Sequence, residues 1–420
     1  MRSDWLKKEL AELGRIITGK TPKTSIPENY GGAIPFLTPS DDMSVKFVKT
    51  TNRTLSELGK QEVKNCLLPA NAVCVSCIGS NLGKVVMTME PTVTNQQINS
   101  IIPDTDINAD FLYYSILLLG KELNFISKTS TAVPIVNKTS FSKYSIYVPP
   151  MDKQKAIAAT LSALDDKIDN NHAVNKNLEK MVQETFQSWF INFEPFQEEG
   201  FVESALGLIP NGWNVAPLSA FCSFISRGIT PKYIEDGEQV VINQKCIRDH
   251  QVSFGPSRFH LPKVINEKWL QYGDVLVNST GQGTLGRVAQ WLETATNVTV
   301  DSHVSIVRPS EQQYIYYIGQ FLMGKEKEIE LMAAGSTGQT ELSRERLGSL
   351  LLVCPKIEQL EEFSKLVEPL MIKIVSNNHE NEKLAKLRDT LLPKLMSGEL
   401  LIPSEGFKTN ERSNDNGRTR

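Results

Sequence analysis

A run near the start of the chain, Gly14-Arg15-Ile16-Ile17-Thr18-Gly19-Lys20-Thr21, carries the letters of a phosphate-binding loop. In such a loop, backbone N–H groups at a helix N-terminus cradle phosphate while the lysine and hydroxyl meet phosphate and magnesium. That chemistry needs a helix directly after the lysine. Pro22, Pro27, Gly31, Gly32 and Pro35 follow instead, and proline removes a donor and clashes with the preceding turn. The run therefore predicts a loop and not a nucleotide site. Cys74 and Cys77 form a C-x-x-C pair, the spacing of a metal or redox site. Zinc wants four ligands; no second pair lies nearby, and the run from Ala72 to Ile78 alternates like a strand. His172, His250, His260, His303 and His379 do not cluster at ligand spacings. Asp165-Asp166 sits in a helical pattern and reads as a solvated face rather than an acid pair. No catalytic constellation emerges, and neither a metal nor a cofactor is expected in this chain.

The elements that would position any site come in two copies. An internal repeat of roughly 205 residues runs through the chain. Trp5 opens one copy and Trp213 the other. Gly19-Lys20-Thr21-Pro22-Lys23 matches Gly228-Ile229-Thr230-Pro231-Lys232, and Ala72 to Gly79 aligns with Asp274 to Gly281. Asn81-Leu82-Gly83-Lys84 matches Thr284-Leu285-Gly286-Arg287. Tyr113-Tyr114 with Gly120-Lys121 recurs as Tyr316-Tyr317 with Gly324-Lys325. The second copy has Ser223 for Gly14, Ile229 for Lys20, Leu276 for Cys74 and Ser279 for Cys77. What the copies share is thus neither a nucleotide loop nor a metal pair.

Each copy begins with a part rich in Gly, Pro, Thr and Ser, whose punctuation predicts short strands and loops. Each ends in a helical pattern with a heptad seam. The first seam is Ile157, Leu161, Leu164, Ile168, Asn171, Asn175, Leu178, Val182, Thr185 and Trp189. The second is Leu360, Phe363, Val367, Leu370, Ile374, Asn377, Asn381, Leu384, Arg388, Leu391 and Leu395. Antiparallel pairing about a pseudo-twofold axis would set Asn171 opposite Asn381 and Asn175 opposite Asn377. A polar layer in such a seam fixes register at a cost in stability. The fold class expected is α+β: two β-rich globular domains joined by two long helices that pair as an antiparallel coiled coil. The domains are expected at 1–150 and 197–355 and the helices at 151–196 and 356–403, with a disordered polar tail at 404–420.

Charge and composition bound the function. The 420 residues carry a formal charge of −3, with residues 1–150 at +3 and residues 196–355 at −4. A lone DNA-binding protein has a stronger positive field, so DNA binding would require a partner to neutralise phosphates. Six cysteines without framework spacing suit a reducing compartment. Met1 to Leu10 has no apolar signal region, and Phe111 to Leu119 is too short to span a membrane. A cytoplasmic protein with no membrane partner is expected.

The doubled layout resembles the specificity subunits of Type I restriction–modification systems. So do Phe186-Gln187-Ser188-Trp189-Phe190-Ile191-Asn192-Phe193-Glu194-Pro195-Phe196 and Leu391-Leu392-Pro393-Lys394-Leu395-Met396-Ser397-Gly398-Glu399-Leu400, which close the two helices. The resemblance covers residues 1–403. It implies a non-catalytic subunit in which each globular part is a target-recognition domain reading one half of a split, asymmetric site in double-stranded DNA. The helices would space the readers and dock two methyltransferase subunits, to which two motor-nuclease subunits can add. S-adenosylmethionine and ATP chemistry would belong to those partners. A helix of about 40 residues is about 60 Å long, enough to hold two readers one DNA turn, about 34–36 Å, apart.

Candidate DNA-facing residues lie in loops of short polar side chains and cations. They are Thr18, Lys20, Thr21, Ser80, Asn81, Lys84, Thr129, Ser130 and Thr131 in the first copy. In the second they are Arg227, Thr230, Gln282, Thr284, Arg287, Ser336, Thr337, Gly338 and Gln339. The competing expectation is a coiled-coil scaffold whose β-rich modules bind protein without DNA specificity.

Overall fold

In the computed structural model, residues 4–129, 135–262, 266–333 and 341–402 are described. The chain divides into two units, Met1–Asn170 with Glu380–Arg420, and Asn171–His379. Each combines a β-rich globular part with segments of both long helices, Met151–Phe190 and Ile357–Ser397. Prolines set both helix starts: Pro149-Pro150 precedes the first and Pro355 the second, because proline ends a strand ladder and fixes a helix-compatible φ.

In the first unit a five-stranded sheet has the order Gly14–Thr18, Ile98–Pro103, Val73–Ser76, Val85–Thr88, Phe47–Val48. A second sheet has the order Thr54–Leu55, Tyr30–Leu37, Thr92–Thr94, Leu67–Leu68, and Leu6–Glu9 pairs with Ser145–Val148. The central strand shows why its sequence is apolar from Val73 through Val75. Val73 and Val75 join a core with Trp5, Phe111 and Leu161, while Cys74 joins one with Leu37, Leu68 and Val86 on the opposite face. A strand covered on both faces loses the usual polar alternation.

The second unit repeats this plan. Cys222–Arg227, Val304–Pro309, Val275–Asn278 and Val288–Gln290 form one sheet. Tyr233–Ile234, Arg258–His260, Gln239–Ile242 and Val298–Val300 form the other, and Asn214–Pro217 pairs with Leu351–Cys354. The parallel pair Tyr30–Leu37 with Thr92–Thr94 has its counterpart in Gln239–Ile242 with Val298–Val300.

Within each unit the helix segments run antiparallel. In the first, Leu161 shares a core with Leu392 and Leu395, and Lys167 Nζ lies 3.2 Å from Glu380 Oε2. In the second, Phe186 and Phe190 meet Phe363 at ring-centroid distances of 6.1 and 5.0 Å. Asn377 donates to Asn175 Oδ1 at 2.8 Å and Asn175 donates to Asn378 Oδ1 at 2.8 Å. Asn171 and Asn381 are buried as well.

Two details correct the sequence expectation. Asp165 is not on a solvated face: it is 8% exposed and accepts from Tyr114 Oη at 2.5 Å and from Arg388 Nη1 at 2.7 Å. A buried carboxylate needs such partners. Phe186 rather than Thr185 carries the seam beyond Val182. Thr185 turns its hydroxyl back to Met181 O at 2.8 Å, while Phe186 is buried.

Candidate nucleic-acid interface

The loop that carries phosphate-binding letters leaves the strand Gly14–Thr18 where its neighbour Ile98–Pro103 begins. Gly19 N donates to Ile98 O at 3.1 Å and Lys20 N to Thr94 O at 2.9 Å, so these amides are engaged and cannot cradle a phosphate. The second copy does the same, with Gly228 N on Val304 O at 3.0 Å and Ile229 N on Val300 O at 2.9 Å. A Cβ on Gly19 would lie 2.2 Å from Asn95 O, and one on Gly228 would lie 2.0 Å from Val300 O. The repeated glycine is thus required by the close approach of the loop to the sheet.

Around this anchor the side chains divide into those turned inward and those left free. Thr18 donates to Asn99 Oδ1 at 2.6 Å and Thr21 to Gln96 Oε1 at 2.7 Å, while Tyr30 Oη braces the loop by donating to Pro22 O at 2.8 Å. Arg227 pairs with Glu341 and donates to Leu342 O at 2.8 Å. Below the second loop Asp301 is buried. Burial pushes its carboxyl above the usual carboxylate range, although His303 N donates to it at 2.9 Å.

The second pair of loops sits at the turns between the central strands. Gly83 and Gly286 share a φ of 85°, the left-handed conformation that favours glycine. Gly83 also lies so close to Gly120 that a Cβ would come within 2.1 Å of its carbonyl oxygen, and a Cβ on Gly286 would come within 2.8 Å of Glu326 O, whereas one on Gly324 would meet nothing closer than 3.5 Å; packing thus accounts for the recurrence at 83 and 286 but not at 324. Asn81 donates to Pro39 O at 2.8 Å, Thr284 to Gln244 Oε1 at 3.1 Å and Arg287 to Gly283 O at 2.9 Å. Ser44 holds Asp42 below its ordinary pKa through its hydroxyl and amide, and Lys84 adds to this.

Among the described residues, Lys20, Lys84, Thr230 and Gln282 are exposed and make no side-chain hydrogen bond. Ser80 lies in the turn Gly79–Asn81 and Thr129 ends the helix Ala109–Thr129. Ser130, Thr131, Ser336, Thr337, Gly338 and Gln339 lie outside the described residues, as does the tail 404–420. Two arginines absent from the sequence candidates stand beside the loops: Arg53, 4.4 Å from the Tyr30 ring centroid, and Arg258, 3.7 Å from that of Tyr233. Their pairing is set by strand register, which local motifs do not reveal.

Cys74 and Cys77 pack into different cores, and burial pushes the Cys74 thiol up to about 12, the opposite of what a thiolate ligand needs. Among the described residues no group of three or more His, Cys, Asp or Glu side chains is placed to hold a metal ion. Among the described residues no helix is long and apolar enough to cross a membrane.

Residues 2–180 match the family described as Type I restriction modification DNA specificity domain. Over 419 residues, 95% of this chain and 94% of the relative, the sequence is 29% identical to the Type I restriction enzyme MjaIX specificity subunit of Methanocaldococcus jannaschii. It is 37% identical over 176 residues to the Type I restriction enzyme HindI specificity subunit of Haemophilus influenzae, covering 41% of this chain and 38% of the relative. Among solved structures, the S subunit of a Type-I restriction-modification system from M. genitalium has the same fold. Its TM-score is 0.57 at 15% identity, over 93% of this chain and 96% of that one.

Proposed function

Because the chain belongs to the specificity subunits of Type I restriction–modification systems, we propose that it reads a split, asymmetric site in double-stranded DNA, one half per β-rich domain, without catalytic chemistry of its own. The observation that carries this reading is one scaffold used twice with different loops. The glycine anchors and strand order recur in both units, whereas Lys20 faces Ile229, Asn81 faces Thr284 and Ser80 faces Gln282 in the alignment. Phosphate contacts position a reader and base-edge contacts specify the sequence. Two scaffolds of one design bearing unlike side chains therefore suit two unlike half-sites.

Residues 1–150 and 197–355 serve as target-recognition domains and the helices 151–196 and 356–403 as the spacer. Two methyltransferase subunits dock on the helices, supply S-adenosylmethionine chemistry and contribute positive charge that the chain lacks; motor-nuclease subunits add to the same core. Co-expression with the system's methyltransferase, followed by genome-wide mapping of methyladenine, tests the proposal. A split motif with two unlike halves is expected. A stable complex that leaves no sequence-specific methylation overturns it in favour of a scaffold.

A further inference from the structure

The second sheet of each unit holds the same pair of side chains at the same register. In the first, Tyr30 is paired with Leu55; in the second, Tyr233 is paired with His260. In both, an arginine lies two residues before the tyrosine's partner, the diagonal position on the same face of an antiparallel pair. One displacement along the chain carries Pro35 opposite Thr54 onto Val240 opposite Phe259, and Arg53 onto Arg258. The guanidiniums stack at 4.4 and 3.7 Å from the ring centroids.

Both arginines are exposed, and neither guanidinium makes a hydrogen bond or ion pair among the described residues. Arg227, Arg287 and Arg308, by contrast, have their guanidiniums engaged, donating to Leu342 O, Gly283 O and Asp274 Oδ1. Both stacks also border the anchored loops. Tyr30 Oη reaches Pro22 O at 2.8 Å, and Tyr233 Oη lies 3.5 Å from Asp301 Oδ2 beneath the loop at Gly228. Stacking on an aromatic face fixes the guanidinium plane by cation–π attraction and leaves a flat fork of donors free. That fork matches guanine O6 and N7 in the major groove.

Resting on the DNA-reading function proposed above, we infer that Arg53 and Arg258 are specificity-determining residues, each held by its tyrosine to read a guanine, one in each half of the target site. Loops that differ between the units then supply the rest of each half-site.

The test uses the full chain in complex with its methyltransferase and reads the methylated motif genome-wide, with thermal melting as a folding control. The wild-type motif is expected to specify a G·C pair in each half. Arg53→Gln relaxes one such pair in one half only, and Arg258→Gln one in the other, each lowering discrimination at that pair by about 5- to 150-fold. Arg53→Lys does not restore it, because an ammonium lacks the fork. Tyr30→Leu relaxes the same pair to a smaller extent.

A phosphate contact gives a different result: Arg53→Gln weakens all sequences alike and lowers the salt slope by about one, and Arg53→Lys restores the motif. That result overturns the inference, as does an unchanged motif in both glutamine variants or a wild-type half-site without a specified G·C pair. If the wild-type complex neither binds nor methylates DNA, the reading on which the inference rests falls with it.

Discussion

The two units solve the same packing problem, a β-rich domain resting on a helix pair, with different physics. In the first the joint is polar. Tyr114 and Arg388 converge on Asp165, and Lys46 Nζ lies 2.8 Å from Asp110 and 2.7 Å from Ser162 Oγ. In the second it is aromatic: Phe190 packs within 4.8 Å of Tyr317, 5.0 Å of Phe363, 5.4 Å of Phe186 and 6.1 Å of Trp213, centroid to centroid. Tyr317, the counterpart of Tyr114, donates to Val353 O of its own domain at 2.6 Å and needs no carboxylate from the helix. A repeat can therefore keep a tyrosine for its shape and still change what satisfies its hydroxyl. The polar joint is directional and sensitive to the loss of one partner. The aromatic joint depends on filled volume.

The largest expected effect breaks the aromatic joint. Phe190→Ala should destabilise the second unit by about 3–5 kcal/mol, the usual consequence of emptying a large buried ring site. Urea unfolding measures this, and hydrogen exchange should show protection lost at 275–278 and 304–309 while 73–76 keeps its own. Next, Asp165→Ala leaves Arg388 without its main acceptor and Tyr114 Oη with only the longer contact to Ser162 Oγ at 3.5 Å. Because Arg388 keeps some solvent contact and Asp389, a loss of about 2–3 kcal/mol is expected, confined by exchange to the first unit. The double variant Asp165→Leu, Arg388→Met should recover most of it, since well-packed apolar groups replace buried ion pairs at little net cost. Failure to recover would mean that the polar joint is valued for more than pairing. The smallest effect concerns the layer beside the aromatic joint. Asn175→Leu with Asn377→Leu should raise stability by roughly 1 kcal/mol and loosen register, seen as cysteine pairs one heptad out of register that begin to cross-link. Unchanged register would show that the aromatic cluster alone sets the alignment of the helices in that unit.

Much of this architecture was legible because the repeat marks positions where geometry leaves little choice. Gly19 and Gly228 recur since a Cβ would collide with the neighbouring strand, and the heptad seams announce the helices. The expectation of a solvated face fails at Asp165 because the partner that buries it stands 223 residues away, beyond any local pattern. The site was less legible still. Arg227, chosen as a loop cation, is paired with Glu341, and Thr18 bonds to Asn99 across the ladder. Arg53 and Arg258 were passed over because their rings lie diagonally across a strand pair, a relation that register creates and spacing along the chain conceals.

The central claim, one half-site for each domain, is tested most directly by exchanging residues 1–150 for the corresponding domain of another specificity subunit and mapping methyladenine made by the resulting complex. The account predicts a motif in which one half changes to that of the donor while the other half is retained. A motif changed in both halves, or in neither, would contradict it.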